Sequence, residues 1–310
     1  MKKSIKKLLA MGMIAAMAVT AAGCSGSSEE TAAATEASET EAASEESSEA
    51  ESSEDAEAAG EEAAADGETY KIGVIQYIQH DALDRANEGF VEALTEAGFP
   101  AEIDQQNASG DTASCTTIAQ KFVSDGDDLI FAIATPAAQA VAAETTDIPI
   151  VLTAVTDPAD SGLVADNAAP GGNVTGSSDL TPVKEQIGLL HNVFPDAKTV
   201  GVLYCSAESN SAIQAEMAHE ACEELGLEAV DYTVATSNDI QTMVESMIGK
   251  VDVLYAPTDN VIAAGMSTVA MIANENGLPT VVGEQGMVDA GGLVTYTIDY
   301  KELGKVAGEM

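Results

Sequence analysis

The 310-residue sequence has little positive charge and no tryptophan. It holds 12 lysine and arginine residues against 52 aspartate and glutamate residues, and its formal net charge is -40. DNA, RNA and anionic membrane surfaces are bound through clustered lysine and arginine, so the composition argues against all three as partners. Sugar sites typically stack their ligands on tryptophan, and its absence disfavours such a site, although tyrosine and phenylalanine could take its place.

Motifs for catalysis and nucleotide binding are also missing. No GxGxxG follows the first predicted strand, and neither GxxxxGK[ST] nor GxSxG occurs. The three histidines, His80, His191 and His219, are scattered, and the pair His219-Glu220 lacks the second histidine of an HExxH zinc motif. The sequence therefore predicts no enzyme, no cofactor and no metal site.

Cysteine is scarce, with four residues in the chain. Three of them, Cys115, Cys205 and Cys222, lie in the region expected to fold. An odd number cannot pair completely, and none has CxxC spacing. We expect buried free thiols, and a disulfide between Cys205 and Cys222 is the alternative.

Residues 1–23 are typical of a bacterial lipoprotein signal peptide. Four lysines precede an apolar run from Leu8 to Val19, which is too short to span a membrane comfortably. The small residues AAG then lead into Cys24 and resemble a lipobox, whose cysteine becomes the lipidated first residue of the mature chain. We expect acyl chains such as palmitate on Cys24 to anchor the protein to the outer face of the cell membrane. A plain secretory signal is the alternative.

Residues 24–69 are predicted to form a disordered acidic tether. Between Ser25 and Glu68 there are 16 acidic residues and no basic one, in a background of alanine, serine and threonine. Such a segment buries too little apolar surface to offset the entropy lost on ordering. Repulsion between its charges favours an extended linker between the anchor and the folded region.

From Tyr70 onward, short apolar runs alternate with amphipathic stretches, as in α/β folds with parallel sheets. The predicted strands begin at Lys71, Ala101, Leu129, Ile150 and Val174, and then at Thr199, Glu228, Val251, Thr280 and Leu293. We expect two doubly wound lobes joined by strand crossovers, with residues 70–172 in the N-terminal lobe, 173–296 in the C-terminal lobe and 297–310 returning to the first. Because the last helix reaches Met310 without a cap, we expect the C-terminal part of the first lobe to be missing from this sequence.

The stretch from Leu129 to Val155 predicts one strand–helix–strand unit with an anion-binding helix start. A continuous apolar run is followed at once by Thr135-Pro136, which suits the beginning of a helix. The free N–H groups and positive dipole end of that helix would lie at the carboxyl edge of the sheet, where open α/β sheets bind ligands.

Polar residues recur at the predicted carboxyl ends of strands in both halves of the chain. They are Gln76, His80, Thr135, Thr156 and Asp157 in the first half, and Asn210, Thr258, Asp259, Asn260 and Glu284 in the second. Ordinary helix caps would look the same at any single position. Their recurrence in both lobes favours a ligand cleft between the two carboxyl edges.

Several longer segments resemble one protein family. The runs KIGVIQYIQHDALDRANEGFVEALTEAGF, TPAAQ, IPIVLTAVTDP, PTDN and TIDY are similar to the substrate-binding lipoproteins of ABC transporters, in the subfamily linked to uptake of tryptophan and other aromatic amino acids. The resemblance covers Tyr70 to Met310. It implies the type I periplasmic-binding-protein fold, three strand crossovers, lobe closure on a ligand and a further C-terminal segment.

The resemblance also implies a binding mechanism for an amino acid zwitterion. The carboxylate is expected at Thr135 and the N–H groups of Ala137 and Ala138, and the ammonium at Asp259 and Asn260. Asp157 is a reserve acceptor, and Tyr77, Phe131 or Tyr204 would flank a ring. The full expected ligand-binding set is Gln76, His80, Thr135, Pro136, Ala137, Ala138, Thr156, Asp157, Asn210, Asp259 and Asn260.

The expected partners are an amino acid ligand, ABC permease subunits and the membrane through the lipid anchor, and the protein is expected to be a monomer that binds no nucleic acid. A receptor for a sugar or nucleoside is the main alternative. A sensor or enzyme domain on the same fold is a further alternative, against which the missing catalytic motifs argue.

Overall fold

The computed structural model describes residues 69–310. The predicted signal peptide, the lipidation site Cys24 and all but the last residue of the predicted tether lie outside the described residues. Within residues 69–310, no helix combines the length and apolar character that a membrane span requires.

Ten parallel strands in the described part of the chain form two separate five-stranded sheets. In chain order the strands are β1 (Tyr70–Gln76), β2 (Ala101–Asn107), β3 (Leu129–Ile133), β4 (Ile150–Val155), β5 (Val174–Ser178), β6 (Thr199–Cys205), β7 (Glu228–Val234), β8 (Val253–Ala256), β9 (Thr280–Val282) and β10 (Val294–Thr295). The first sheet has the order β2-β1-β3-β4-β5 and the second has the order β10-β9-β8-β6-β7. The central strands β3, β4 and β8 are almost entirely buried and apolar, as strands covered on both faces must be.

Ten α-helices of the described region cover the sheets. They are α1 (Asp81–Glu96), α2 (Thr112–Asp125), α3 (Thr135–Glu144), α4 (Val183–Val193), α5 (Ser209–Leu225), α6 (Ile240–Met247), α7 (Asn260–Ala264), α8 (Met266–Glu275), α9 (Gln285–Asp289) and α10 (Tyr300–Glu309). In the first lobe α1 packs against α10 and α2 against α3; in the second lobe α4 packs against α5 and α6 against α8. Each lobe is therefore a three-layer sandwich with its own apolar core.

One predicted boundary is wrong. Placing the division between residues 172 and 173 assigned the strand beginning at Val174 to the second lobe, but β5 pairs with β4 from Ile150 and Val174 onward. The strand belongs to the first sheet, and the chain crosses to the second lobe only after Ser178. Hydrophobic pattern shows that a strand exists but not which strand it pairs with.

The second crossover agrees with the expected return of the chain. Strand β10 pairs with β9 in the second sheet, and α10 then packs against α1, β4 and β5 of the first lobe. Two crossovers, residues 179–182 and 296–299, therefore join the lobes within the described part of the chain.

The three cysteines of the folded region are free and buried. The expectation of buried free thiols for Cys115, Cys205 and Cys222 is confirmed. The alternative of a disulfide between Cys205 and Cys222 is wrong.

Candidate functional site

A narrow cavity lies between the two lobes, at the carboxyl edges of both sheets. The first lobe and the crossovers contribute His80, Leu83, Ala154, Thr156, Asp179 and Tyr300, and the second lobe contributes Asn210, Thr258, Asp259, Asn260, Ala263 and Glu284. This is the position at which doubly wound sheets present strand-end residues and helix starts to a ligand.

Local backbone structure places several of these side chains. Asp259 is the N-cap of α7, where its Oδ1 accepts a hydrogen bond from the N–H of Ile262 at 2.7 Å. Glu284 is the N-cap of α9 and accepts from the N–H groups of Gly286 and Met287. Ala154 lines the cavity with a φ of 53°, a left-handed conformation that alanine rarely adopts. Strain of this kind often occurs at ligand sites.

Two buried carboxyl groups in the second lobe, those of Glu208 and Asp259, are close enough for their charges to interact. Asp259 Oδ2 accepts from the N–H of Cys205 at 2.6 Å, and Glu208 Oε2 accepts from Asn260 Nδ2 at 2.5 Å. Burial and the negative charge of Asp259 raise the pKa of Glu208 to about 8. Burial also raises the pKa of Asp259. Glu208 therefore holds a proton at neutral pH, which avoids placing two unscreened charges side by side.

A second polar group lies where the crossovers meet. The hydroxyl of Tyr300 donates to Asp179 Oδ2 at 2.8 Å, whereas Asp179 Oδ1 is buried without a hydrogen-bond partner. Burial raises the pKa of Asp179 to about 6, although the hydroxyls of Tyr300 and Thr156 act in the opposite direction. Asp179 is therefore ionised at neutral pH, with one oxygen free.

The two lobes touch across the cleft. His80 Nε2 lies 3.3 Å from Asn260 Oδ1, Gln214 Nε2 donates to Thr156 Oγ1 at 3.4 Å, and Arg85 contacts Asp289 at 3.4 Å. Burial of the His80 ring lowers its pKa to about 4. The ring is neutral at pH 7, and we assign its proton to Nε2 because Asn260 Oδ1 can only accept. The structure thus shows the lobes closed on each other.

The cavity brings together five of the eleven predicted ligand-binding residues, namely His80, Thr156, Asn210, Asp259 and Asn260. It is not lined by Gln76, Thr135, Pro136, Ala137, Ala138 or Asp157. Three of these six are occupied elsewhere. Gln76 Nε2 donates to Asp84 at 2.6 Å, and Asp157 Oδ1 accepts from the N–H groups of Ala159 and Asp160 in its own turn. The N–H of Ala138 donates to the carbonyl of Ala134 inside α3, so the expected use of this group for a carboxylate is wrong.

Thr135 has a different status. It lies at the start of α3, is 1% exposed, and its hydroxyl has no hydrogen-bond partner. Ala134 before it has a φ of 81° and supplies no side-chain cap, so the first N–H groups of α3 receive no side-chain cap from that position. Thr135 and Ala137 stay predictions for carboxylate binding.

The residues proposed to flank a ring do not line the cavity. Phe131 is fully buried and stacks on Phe90 with ring centroids 3.7 Å apart, so it fills the core of the first lobe. The Tyr77 hydroxyl donates to the carbonyl of Gly110 at 3.0 Å. The phenol ring in contact with the cavity belongs to Tyr300 instead.

The ligand-binding set from the sequence omitted seven lining residues, which are Leu83, Ala154, Asp179, Thr258, Ala263, Glu284 and Tyr300. Thr258 and Glu284 were among the polar residues at strand ends, so the signal for them was present. Asp179 and Tyr300 lie in or beside the crossovers, where strand and helix patterns give no guide. The TIDY segment, which ends at Tyr300, was the only available hint.

Comparisons with known proteins agree with this architecture. The model of a family described as ABC transporter substrate binding protein matches residues 71–310. A tyrosine-binding protein of Clostridioides difficile strain R20291 is 44% identical over 243 residues, which are 77% of this chain and 70% of the relative. The structure of an ABC domain in complex with L-Trp from Streptococcus pneumoniae is 39% identical, with a TM-score of 0.75 over 77% of this chain and 82% of that one. A leucine-binding protein of Thermotoga maritima, 16% identical with a TM-score of 0.56 over 72% of this chain and 67% of that one, shares the fold.

Proposed function

The chain belongs to the ABC transporter substrate-binding protein family, and from this premise we propose that it binds an aromatic amino acid between its lobes for import. The family match confirms two expectations from the sequence, a type I periplasmic-binding-protein fold and a binding protein rather than an enzyme. The ligand, the anchor and the transport partners are the proposal itself.

The charge of the cavity carries the proposal. Its described lining includes three carboxyl groups, Asp179, Asp259 and Glu284, and neither lysine nor arginine. With His80 neutral, the positive charge that best complements this lining is one carried by the ligand. An ammonium group meets that requirement, and sugars and nucleosides do not.

The remaining lining suits the rest of an aromatic amino acid. Leu83, Ala154, Ala263 and the ring of Tyr300 supply apolar surface. Helix α1 begins beside the cavity, and His80 makes no side-chain cap, so its first N–H groups are suited to a carboxylate. We propose that these groups bind the ligand carboxylate, with Thr135 and Ala137 as the second candidates. The relatives named for tyrosine and L-Trp support an aromatic side chain.

The narrowness of the cavity implies that the lobes open to admit the ligand. Closure then replaces water around the charged groups with fixed protein partners, which strengthens their attraction. We propose that the interlobe contacts of His80 with Asn260 and of Gln214 with Thr156 break when the lobes open and form again on closure.

The cellular setting is proposed from the sequence. Substrate-binding proteins of ABC importers are extracytoplasmic. We propose that this one is a monomer, anchored to the outer face of the cell membrane by acylation of Cys24, and delivers its ligand to permease subunits. The lipobox-like residues before Cys24 and the family match support this setting.

A thermal-shift panel of the twenty amino acids with representative sugars and nucleosides tests the proposal. A ligand present at about 1,000 times its dissociation constant stabilises the folded state by about 4 kcal/mol. We expect tyrosine, tryptophan or phenylalanine to give the largest shift. A panel in which only sugars or nucleosides stabilise the protein would overturn the ligand assignment.

A further inference from the structure

The three carboxyl groups that line the cavity differ in how many of their oxygens are engaged. Both oxygens of Asp259 accept from backbone N–H groups, those of Cys205 and Ile262. Both oxygens of Glu284 likewise accept from backbone N–H groups at the start of α9. Each of these two carboxylates already has a structural role as a helix cap.

Asp179 is the exception. It is 5% exposed, its Oδ2 accepts from the hydroxyl of Tyr300, and the Thr156 hydroxyl also lies near enough to favour the ionised carboxylate. Its buried Oδ1 nevertheless has no hydrogen-bond partner. Buried acceptors are nearly always paired, and an unpaired charged oxygen is especially unfavourable. An unpartnered oxygen at the wall of a ligand cavity indicates that its donor arrives with the ligand.

The protein offers no cation to this oxygen from the described cavity lining. The nearby Arg85 is engaged by Asp81 at 2.7 Å and by Asp289 at 3.4 Å. His80 is neutral at physiological pH. A ligand ammonium, with three donors and a full positive charge, matches what Asp179 lacks.

Asp179 also lies at a mechanically important place. It directly follows β5 in the first crossover, and Tyr300 opens α10 directly after the second crossover. The hydrogen bond between them therefore ties the two crossovers together. A ligand held by Asp179 would contact the hinge itself as well as the faces of the lobes.

We propose that Asp179, rather than Asp259, binds the ligand ammonium, and that Tyr300 is the positioning residue that holds the carboxylate toward the cavity. This inference rests on the proposed function, because it assigns a role within the same site. Asn210, whose buried Oδ1 also lacks a donor and lines the cavity, is a second acceptor on the opposite lobe.

The test is calorimetric titration with two ligand pairs that differ only in the ammonium group. These are L-tryptophan with indole-3-propionate, and L-tyrosine with 3-(4-hydroxyphenyl)propionate. The wild-type protein should bind the better amino acid of the two at least about 100-fold more tightly than its partner, the size expected for one buried charged contact. In Asp179→Asn this preference should largely disappear, because only the amino acid loses a partner.

A matched control and a positioning variant sharpen the result. Asp231→Asn removes a half-exposed carboxylate of the second lobe and should leave both affinities unchanged. Tyr300→Phe should weaken amino acid binding about tenfold. It should also move the loss of binding to higher pH, because the hydroxyl helps keep Asp179 ionised. If Tyr300 had only a structural role, Tyr300→Phe would not change the pH at which amino acid binding is lost.

Each outcome decides a different claim. If the wild-type protein binds neither of these amino acids nor phenylalanine, the proposed function is wrong. If it binds one of them and Asp179→Asn keeps the full preference for the ammonium, or loses affinity equally for both members of the pair, the role of Asp179 is wrong while the function stands. The comparison of ligands in the wild-type protein requires no variant to fold.

Discussion

At the scale of single residues, burial controls the charge of the cleft. Asp179, Glu208, Asp259 and Glu284 all have raised pKa values, and burial is the first cause in each case. Because some of these carboxyl groups are protonated, the negative charges in the cleft repel each other less while no ligand supplies a positive charge. The same burial makes the stability of the ligand-free protein depend on pH.

Stability of the ligand-free protein should fall as pH rises from 6.5 to 8. Glu208 has a pKa of about 8 when folded, against 4.5 ordinarily, so the folded state holds a proton that the unfolded state releases. The loss due to Glu208 alone is at most about 2 kcal/mol across this window, or about 4 °C in Tm. Glu284, at about 7, contributes to the lower part of the window. Calorimetry at several pH values measures the slope.

Glu208→Gln is the control for this prediction, since glutamine can keep hydrogen bonds without titrating. Its slope between pH 6.5 and 8 should be much smaller. His80 does not interfere in this window, because its pKa of about 4 affects stability only below 6.5. Equal slopes in the two proteins would contradict the assignment to Glu208.

Thr135→Val tests the remaining carboxylate prediction. The side chain keeps its shape and loses a buried hydroxyl that has no partner, so the free energy of unfolding should be unchanged or slightly higher. If Thr135 donates to the ligand, affinity for the aromatic amino acid should fall about tenfold. Unchanged affinity in a titration would show that Thr135 does not bind the ligand carboxylate, and the first N–H groups of α1 would remain as the proposed site.

What the sequence could predict at this scale depends on local rules. Asn210, Asp259 and Asn260 follow strands at helix starts, a position that cap preferences make recognisable. Asp179 and Tyr300 are joined across a long sequence separation by the meeting of two crossovers, which no local pattern encodes. Asp157 was a good candidate by position, but its carboxylate is used by its own turn.

At the scale of elements, the close contact between α1 and α10 depends on two glycines, which have no side chain. A Cβ on Gly304 would meet the carbonyl oxygen of Ala86, and one on Gly89 would meet the carbonyl oxygen of Lys301. The helices therefore cross with their backbones nearly touching. The glycines are placed for packing, although glycine within a helix is otherwise unfavourable.

Gly304→Ala should destabilise the protein by about 3 kcal/mol, because the clashing atoms belong to backbone and cannot rotate away. Gly188→Ala is the matched control, since this glycine also lies within a helix and no atom lies within 4 Å of an added Cβ. The control should be neutral or more stable by up to about 1 kcal/mol. Urea unfolding of both variants measures the difference, and equal stabilities would contradict the packing argument.

The positions of the strands and helices along the chain were largely predictable from the sequence. The pairing of strands within the sheets was not. Apolar runs and helix caps located β1, β3, β4 and the helices between them, since those signals are local. The assignment of β5 failed because pairing depends on where the chain goes next. Its partner β4 was fixed by the fold of the lobe rather than by anything within the strand itself.

At the scale of the whole molecule, one buried amide holds the second crossover to the second lobe. Gln186 is fully buried, and its Nε2 donates to the carbonyls of Tyr296 at 2.8 Å and Gly283 at 3.2 Å. Its Oε1 accepts from the hydroxyl of Tyr255 at 2.6 Å. A single side chain thus holds the start of the second crossover against the second lobe.

Gln186→Leu should destabilise the protein by about 3 kcal/mol, because two buried polar groups, those of Gly283 and Tyr255, and the part-buried carbonyl of Tyr296 lose their partner. Hydrogen exchange should rise selectively in residues 296–299. Gln241→Leu, which removes an exposed amide that is hydrogen-bonded to Glu245, should change neither quantity. A variant of Gln186 with unaltered exchange in the crossover would show that the hinge is held by other contacts.

Ligand capture between the lobes is the central claim, and the absence of tryptophan from the chain allows a direct test. Emission from added L-tryptophan can be excited selectively, because the protein contains only tyrosine and phenylalanine as competing rings. On titration with protein we predict a blue shift that saturates at one ligand per chain and reverses when L-tyrosine is added. Emission that keeps the spectrum of free tryptophan at every protein concentration, in a protein whose Tm neither tyrosine nor phenylalanine raises, would contradict the account.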